Sequence, residues 1–224
     1  MLQRPVELTA LKRCKLANKT PRKLLKFFGL EVTARAAADL LGLQANTTTL
    51  FYRKVRGLIA AKLEAAASEV AGEIELDESY FGGVRKGKRG RGAAGKVPVF
   101  GILKRGGKVY TQIIENTRTD TLMPIIRRKI EPDSVVYTDN YRSYNALDIS
   151  EFKHYRINHS AVFAEGCNHI NGIENFWNQA KRVLRKYNGI PAKHFYWFLK
   201  EAECRFNYGT HQQQFITLRR WCRL

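Results

Sequence analysis

Two short apolar runs that each lead into an aspartate constrain this chain more than any other feature. Glu73-Ile74-Glu75-Leu76-Asp77 alternates polar and apolar side chains, which predicts a strand with Ile74 and Leu76 on one face and the acids on the other. Val135-Val136-Tyr137 reads as a short buried strand running straight into Asp139. A third acid, Glu174, lies in a helical pattern: Ile170, Ile173, Trp177, Ala180 and Leu184 make one stripe, and Asn171, Glu174, Asn178, Lys181 and Arg185 the adjacent one. Two strand ends and a helix could converge in an α/β arrangement.

The intervening segments fit that architecture. Residues 97–103 and 109–115, joined around Gly106-Gly107, predict a hairpin, because glycine accepts the positive φ of a tight turn. A helix is expected over 121–130, with Leu122, Ile125, Ile126 and Ile130 on one face and Pro124 near its first turn. A weaker strand is expected over 154–157. After the break at Asn188-Gly189-Ile190-Pro191, Phe195, Phe198, Leu199, Ala202 and Phe206 mark a final packing helix. The expected fold of residues 72–224 is therefore an α/β sheet of mixed strand direction with flanking helices.

Residues 1–71 have a different character. A basic lead-in (Lys12, Arg13, Lys15, Lys19, Arg22, Lys23, Lys26) surrounds a first helix carrying Leu24, Leu25, Phe27 and Phe28. Next come a helix over 34–41, a turn at Gly42-Leu43, and a second helix over about 47–59 that Asn46 could cap and that the Ala-rich run 60–71 continues. In that second helix Leu50, Phe51, Val55, Leu58 and Ile59 form the packing face, leaving Tyr52, Arg53 and Arg56 exposed on the other side. This is the pattern of a helix-turn-helix DNA reader; the plainer reading is a small bundle that packs or dimerises.

Composition limits the function classes. The 224 residues carry 39 Lys and Arg against 20 Asp and Glu, a formal charge of +19, which points to a polyanionic partner, with a basic scaffold as the plain alternative. Cys14, Cys167, Cys204 and Cys222 contain no Cys-x-x-Cys pair, so neither a zinc ribbon nor a disulfide framework is indicated, and a reducing compartment is expected. His154, His159, Cys167 and His169 match no standard zinc spacing. No apolar run reaches the roughly 18 residues of a membrane span and no signal-peptide core stands at the N-terminus, so the expectation is a soluble, intracellular protein.

Asp77, Asp139 and Glu174 suit phosphodiester chemistry with two divalent ions about 3.5–4 Å apart, one activating the attacking oxygen and the other stabilising the leaving one. Each acid also has an ordinary reading. Glu73, Glu75 or Glu78 could be the ligand in place of Asp77; Asp139 could form a turn before Asn140; Glu174 could be a helix-surface acid. The glycine-rich loop that follows Asp77 holds Arg85, Lys86, Lys88, Arg89, Arg91 and Lys96, candidates for DNA contact or simply a solvated loop. Tyr141, Arg142 and Tyr144 beside Asp139 could stack on an unpaired base or grip phosphate, or pack locally.

DESYFGG, that basic loop, VYTDNYRSY, RINHS, NHINGIENFWNQAKR and RFNYGTHQQQ, in this order over about 73–220, resemble the DDE-type transposases of short bacterial insertion sequences, the group related to Merlin transposons. The resemblance implies a ribonuclease H-like catalytic domain and cleavage and strand transfer of double-stranded DNA at inverted-repeat ends, with two Mg²⁺ or Mn²⁺ ions. It matches Asp77, Asp139 and Glu174 to the metal-binding acids, with Asn171 as a competitor for the third position, and Lys181 to a basic residue seven positions later, beside Arg185 on the same stripe. Many relatives carry an N-terminal zinc ribbon, which this sequence lacks, so end recognition would fall to the helix-turn-helix. Holding two ends implies a homodimer or larger multimer on DNA. The expected location is a bacterial cytoplasm at the nucleoid, or the nucleus in a eukaryotic host. A catalytically silent repressor or domesticated DNA-binding protein is the alternative, and a structure-specific nuclease a third.

Overall fold

The computed structural model describes residues 19–82, 96–139, 141–157, 170–187 and 189–224, together with Leu16. The run from Glu73 forms β1 (Glu73–Phe81), which continues four residues past Asp77. It pairs antiparallel with β2 (Val97–Lys104), which pairs antiparallel with β3 (Val109–Ile113) across the Gly106 turn, where φ is +66°. On its other side β1 runs parallel to β4 (Val135–Asp139), and β4 parallel to β5 (Lys153–Ile157). Among the described residues this is one five-stranded sheet of order β3-β2-β1-β4-β5. A five-stranded mixed sheet flanked by helices bears out the expected α/β architecture.

Parallel strands need crossovers, which cover sheet faces. Helix α4 (Thr119–Lys129) precedes β4, and the 3-10 helix Arg142–Ile149 joins β4 to β5. Leu122, Ile125 and Ile126 of α4, with Tyr144 and Leu147, bury Ile74, Leu76, Phe100, Ile102 and Val136 on one face. The face expected to be polar is covered as well, by α5 (Asn171–Arg185), whose predicted stripe of Ile173, Trp177, Ala180 and Leu184 is buried with Phe176.

The remaining helices form a second core. α1 (Thr20–Gly29), α2 (Ala34–Leu41) and α3 (Ala45–Ala65) pack with α6 (Ala192–Asn207) and α7 (His211–Cys222) around Leu24, Phe28, Phe51, Tyr52, Val55, Ile59, Cys204 and Leu218. Thr33 caps α2, and Gly42 ends it in the left-handed conformation at φ +62°, giving the short turn expected before α3. α3 ends at Ala65, so the Ala-rich run does not stay helical to 71; Val70 instead bridges to Ile130. α7 has no counterpart in the sequence reading; a capping box of Thr210 and Gln213 opens it.

Contacts divide the chain into residues 1–66 with 194–224, and residues 67–193. These compact units do not coincide with the segments 1–71 and 72–224, because α6 and α7 return to the N-terminal helices. Besides the shared apolar core, a buried ion network ties α6 to α3. The Arg56 guanidinium meets Glu201 at 2.6 Å, and Arg205 meets the same carboxylate at 2.7 Å. Arg205 also donates to the Phe28 and Gly29 carbonyls at 2.7 and 3.1 Å, satisfying the C-terminal end of α1. Arg56 stacks 3.9 Å above the Phe198 ring.

That network corrects one expectation. Arg56 and Tyr52 do not stand on an exposed reading face of α3: Arg56 is 6% and Tyr52 1% exposed, and the Arg56 charge is committed to Glu201. Arg53 is exposed and lies 4.9 Å from the Trp197 ring centre. No helix among the described residues is long and apolar enough to cross a membrane.

Candidate active site

The register of β1 and β4 sets the two aspartates side by side. Glu73 faces Val135, Ile74 faces Val136 and Glu75 faces Tyr137; the same offset carried two residues further brings Asp77 level with Asp139. Both are half-buried: Asp139 ends β4, while Asp77 lies within β1, two residues past its last residue paired with β4. The Asp77 pKa is pushed up to about 7, first by loss of solvent, then by the negative charges of Glu78 and Asp139.

The other acids of β1 are occupied elsewhere. Glu75, 1% exposed, accepts from Arg105 at 3.0 Å and from the Ile173 backbone N–H at 2.8 Å. It thereby serves the N-terminus of α5, where Ile170 provides no side-chain cap. Glu73 accepts from the Tyr137 hydroxyl at 2.8 Å. Glu78 projects to the opposite face, where the buried Tyr144 hydroxyl donates to it at 2.7 Å, so Tyr144 is a packing residue there. Asp77 stands beside Asp139.

Helix α5 runs along β1. Ile173 bonds Glu75, and one turn later the Trp177 indole N–H donates to the Asp77 carboxylate at 3.0 Å. The distances match: four helical residues advance about 6 Å and two strand residues about 6.6 Å. Lys181, a further turn on, lies 5.9 Å from the Phe81 ring centre. Gly172 makes the start of this alignment possible, since a Cβ there would stand 2.6 Å from Leu103 Cδ2 and 2.9 Å from Glu75 Oε2. Glu75 is pinned and cannot yield, so Gly172→Ala is expected to lower stability by about 1–3 kcal/mol despite alanine's better helix propensity. Thermal unfolding of the full chain beside wild type measures it.

Glu174 is exposed one turn before Trp177, on a stripe with Asn171, Asn178, Lys181 and Arg185 that is exposed throughout, as its helical spacing predicted. Among the described residues no three His, Cys, Asp or Glu side chains gather as a metal-holding group. The fold thus brings Asp77 and Asp139 together, while Glu174 stays on the adjoining helix face. Asp139 also forms the turn that its sequence allowed: its Oδ1 accepts the Tyr141 N–H at 3.0 Å. Arg142 is exposed and Lys96 half-buried. Arg85, Lys86, Lys88, Arg89 and Arg91 lie outside the described residues, as do His159, Cys167 and His169. His154 faces Asp148 at 2.6 Å and Thr138 at 2.8 Å, and burial holds its pKa below 6.5.

The profile of the ISXO2-like transposase domain matches residues 69–207, a span that holds the aspartate pair and all of α5. This chain belongs to the ISXO2-like transposase family. The resemblance to DDE-type insertion-sequence transposases is thereby borne out. An "Uncharacterized transposase-like protein" of Haemophilus influenzae is 58% identical over 112 residues, covering 50% of this chain and 91% of that relative. A solved structure, "Mos1 transposase paired-end complex with left transposon end", is similar over 93% of this chain and 79% of its own at 11% identity, with a TM-score of 0.28.

Sequence reasoning missed Trp177 and Glu75. Trp177 read as one more apolar member of a stripe, and only the strand opposite it reveals its hydrogen bond. Glu75 was one of several interchangeable acids until α5 was placed over it.

Proposed function

We propose that this family member is an active insertion-sequence transposase that cuts double-stranded DNA at its element's inverted-repeat ends and joins them to a target, using Mg²⁺ or Mn²⁺. The observation that carries this reading is the juxtaposition of Asp77 and Asp139 on the neighbouring parallel strands β1 and β4.

The donor chemistry suits a hard divalent cation. Asp77 accepts one N–H on each oxygen, from Glu78 at 2.8 Å and Trp177 at 3.0 Å, and each oxygen keeps a further lone pair. Asp139 keeps Oδ2 beyond its turn-forming Oδ1. Asp77 and Asp139 would hold the ions, with Glu174 joining them when α5 and the DNA are engaged. When bound, the ions would activate the attacking oxygen and stabilise the leaving one. Lys181 and Arg185, exposed further along the Glu174 stripe, would hold the DNA backbone; Arg53, Lys96 and Arg142, with the basic residues between 85 and 91, would extend that contact. α2 and α3 would serve as the end-reading unit without Arg56. Two ends must be held together, so the working form would be a dimer or larger multimer.

The test is a cleavage and joining assay on a plasmid carrying the gene with its native flanking DNA. Mg²⁺-dependent cuts at the borders of an inverted repeat, with joined products, are expected. Cutting without joining would replace the reading with a nuclease. Binding without cutting, in either Mg²⁺ or Mn²⁺, would replace it with a silent DNA-binding protein.

A further inference from the structure

We propose that Trp177 is a positioning residue of the metal centre: its indole N–H, seated over Gly101, fixes the orientation of the Asp77 carboxylate. This rests on the reading of Asp77 and Asp139 as metal ligands.

Trp177 is 3% exposed, yet its N–H is not wasted on a carbonyl or on water: it donates to Asp77 Oδ2 at 3.0 Å. The Glu78 N–H holds Oδ1 at 2.8 Å. With one donor on each oxygen, the carboxylate cannot rotate without breaking a bond, and the same lone pairs remain turned outward. A phenylalanine would fill an apolar wall equally well; only an indole supplies this donor.

The indole itself cannot drift. Gly101 pairs directly with Asp77 across β1 and β2, and a Cβ on it would stand 2.6 Å from Trp177 Cζ2 and 2.9 Å from Ile173 Cδ1. The absent side chain is what admits the ring to this depth. Phe176 closes on it at 4.8 Å between ring centres, and Phe81 meets it edge-on at 6.0 Å. The residue therefore connects α5, which carries Glu174 and Lys181, to the strand that carries Asp77. Outer-shell donors of this kind typically govern metal affinity by about 10–100-fold.

Mn²⁺ binding to the full-length chain, followed by the electron paramagnetic resonance of free Mn²⁺, tests the proposal. Trp177→Phe should weaken binding about 10–100-fold, with DNA binding in EDTA unchanged and cleavage recovered at high Mn²⁺. Should the phenylalanine variant fail to fold, 3-benzothienylalanine at 177 keeps the ring shape and replaces the N–H by sulfur, and the same weakening is expected. Asp77→Asn is the control. Mn²⁺ affinity lost in Asp77→Asn but unchanged in the Trp177 variants overturns the positioning role alone. Affinity unchanged in Asp77→Asn, or absent from wild type, overturns the metal reading and this proposal with it.

Discussion

Asp139→Asn is expected to stop cleavage and joining while leaving DNA binding intact. Asparagine keeps the shape of the residue and its Oδ1, so the turn to the Tyr141 N–H survives and β4 ends as before. What is lost is one negative charge beside Asp77. If a divalent ion supplies several kcal/mol of charge stabilisation at this site, losing about 4 kcal/mol of it corresponds to about a thousandfold in rate. The comparison is plasmid cleavage rate against mobility shift of inverted-repeat DNA in EDTA, where no chemistry runs. Full cleavage by the variant would sink the ligand role of Asp139; loss of binding along with cleavage would point to a folding defect instead.

Glu201→Gln is expected to be the costliest single change in the helical unit. Burial alone would raise the Glu201 pKa, but Arg56 and Arg205 outweigh it and hold the carboxyl below its ordinary 4.5. Glutamine removes the charge that the buried Arg56 and the half-buried Arg205 share, with Glu31 at 4.0 Å from Arg205 staying in place, and breaking such a pair costs about 3–5 kcal/mol. Urea unfolding followed by helical circular dichroism gives the difference. The pH dependence identifies the cause. A carboxyl whose folded pKa is depressed binds fewer protons folded than unfolded, so its contribution is complete above the unfolded value and lost as pH falls through the folded one. The gap between wild type and variant should therefore be full at neutral pH and narrow in acid. A gap that does not change with pH would mean that Glu201 acts through packing and not through its charge.

Much of the sheet was readable because its signals are local. Ile74 and Leu76 alternate with acids, Gly106 permits the hairpin, and the Val135–Tyr137 run ends where Asp139 begins; each pattern reflects how a strand or turn distributes its own side chains. The exposed stripe of α5 was readable for the same reason. Arg56 and Tyr52 were misplaced because periodicity describes one neighbouring surface, and α3 has more than one: α1 and α2 cover part of it, and α6 and α7, more than a hundred residues away in sequence, cover the side that looked polar.

By itself, then, the sequence determined where most of the strands and helices form, which stripe of α5 is apolar, that the chain carries a large positive charge, and which acids follow the apolar runs. Tertiary structure alone decided which of those acids meet. Register placed Asp77 against Asp139, α5 took Glu75 for its N-terminus and gave Trp177 to Asp77, and Glu201 drew Arg56 inward. The physical reason is that a charged side chain in a sequence has no preferred partner. Its role follows from the burial and the counter-charges that distant segments bring to it, and these exist only once the chain has closed on itself.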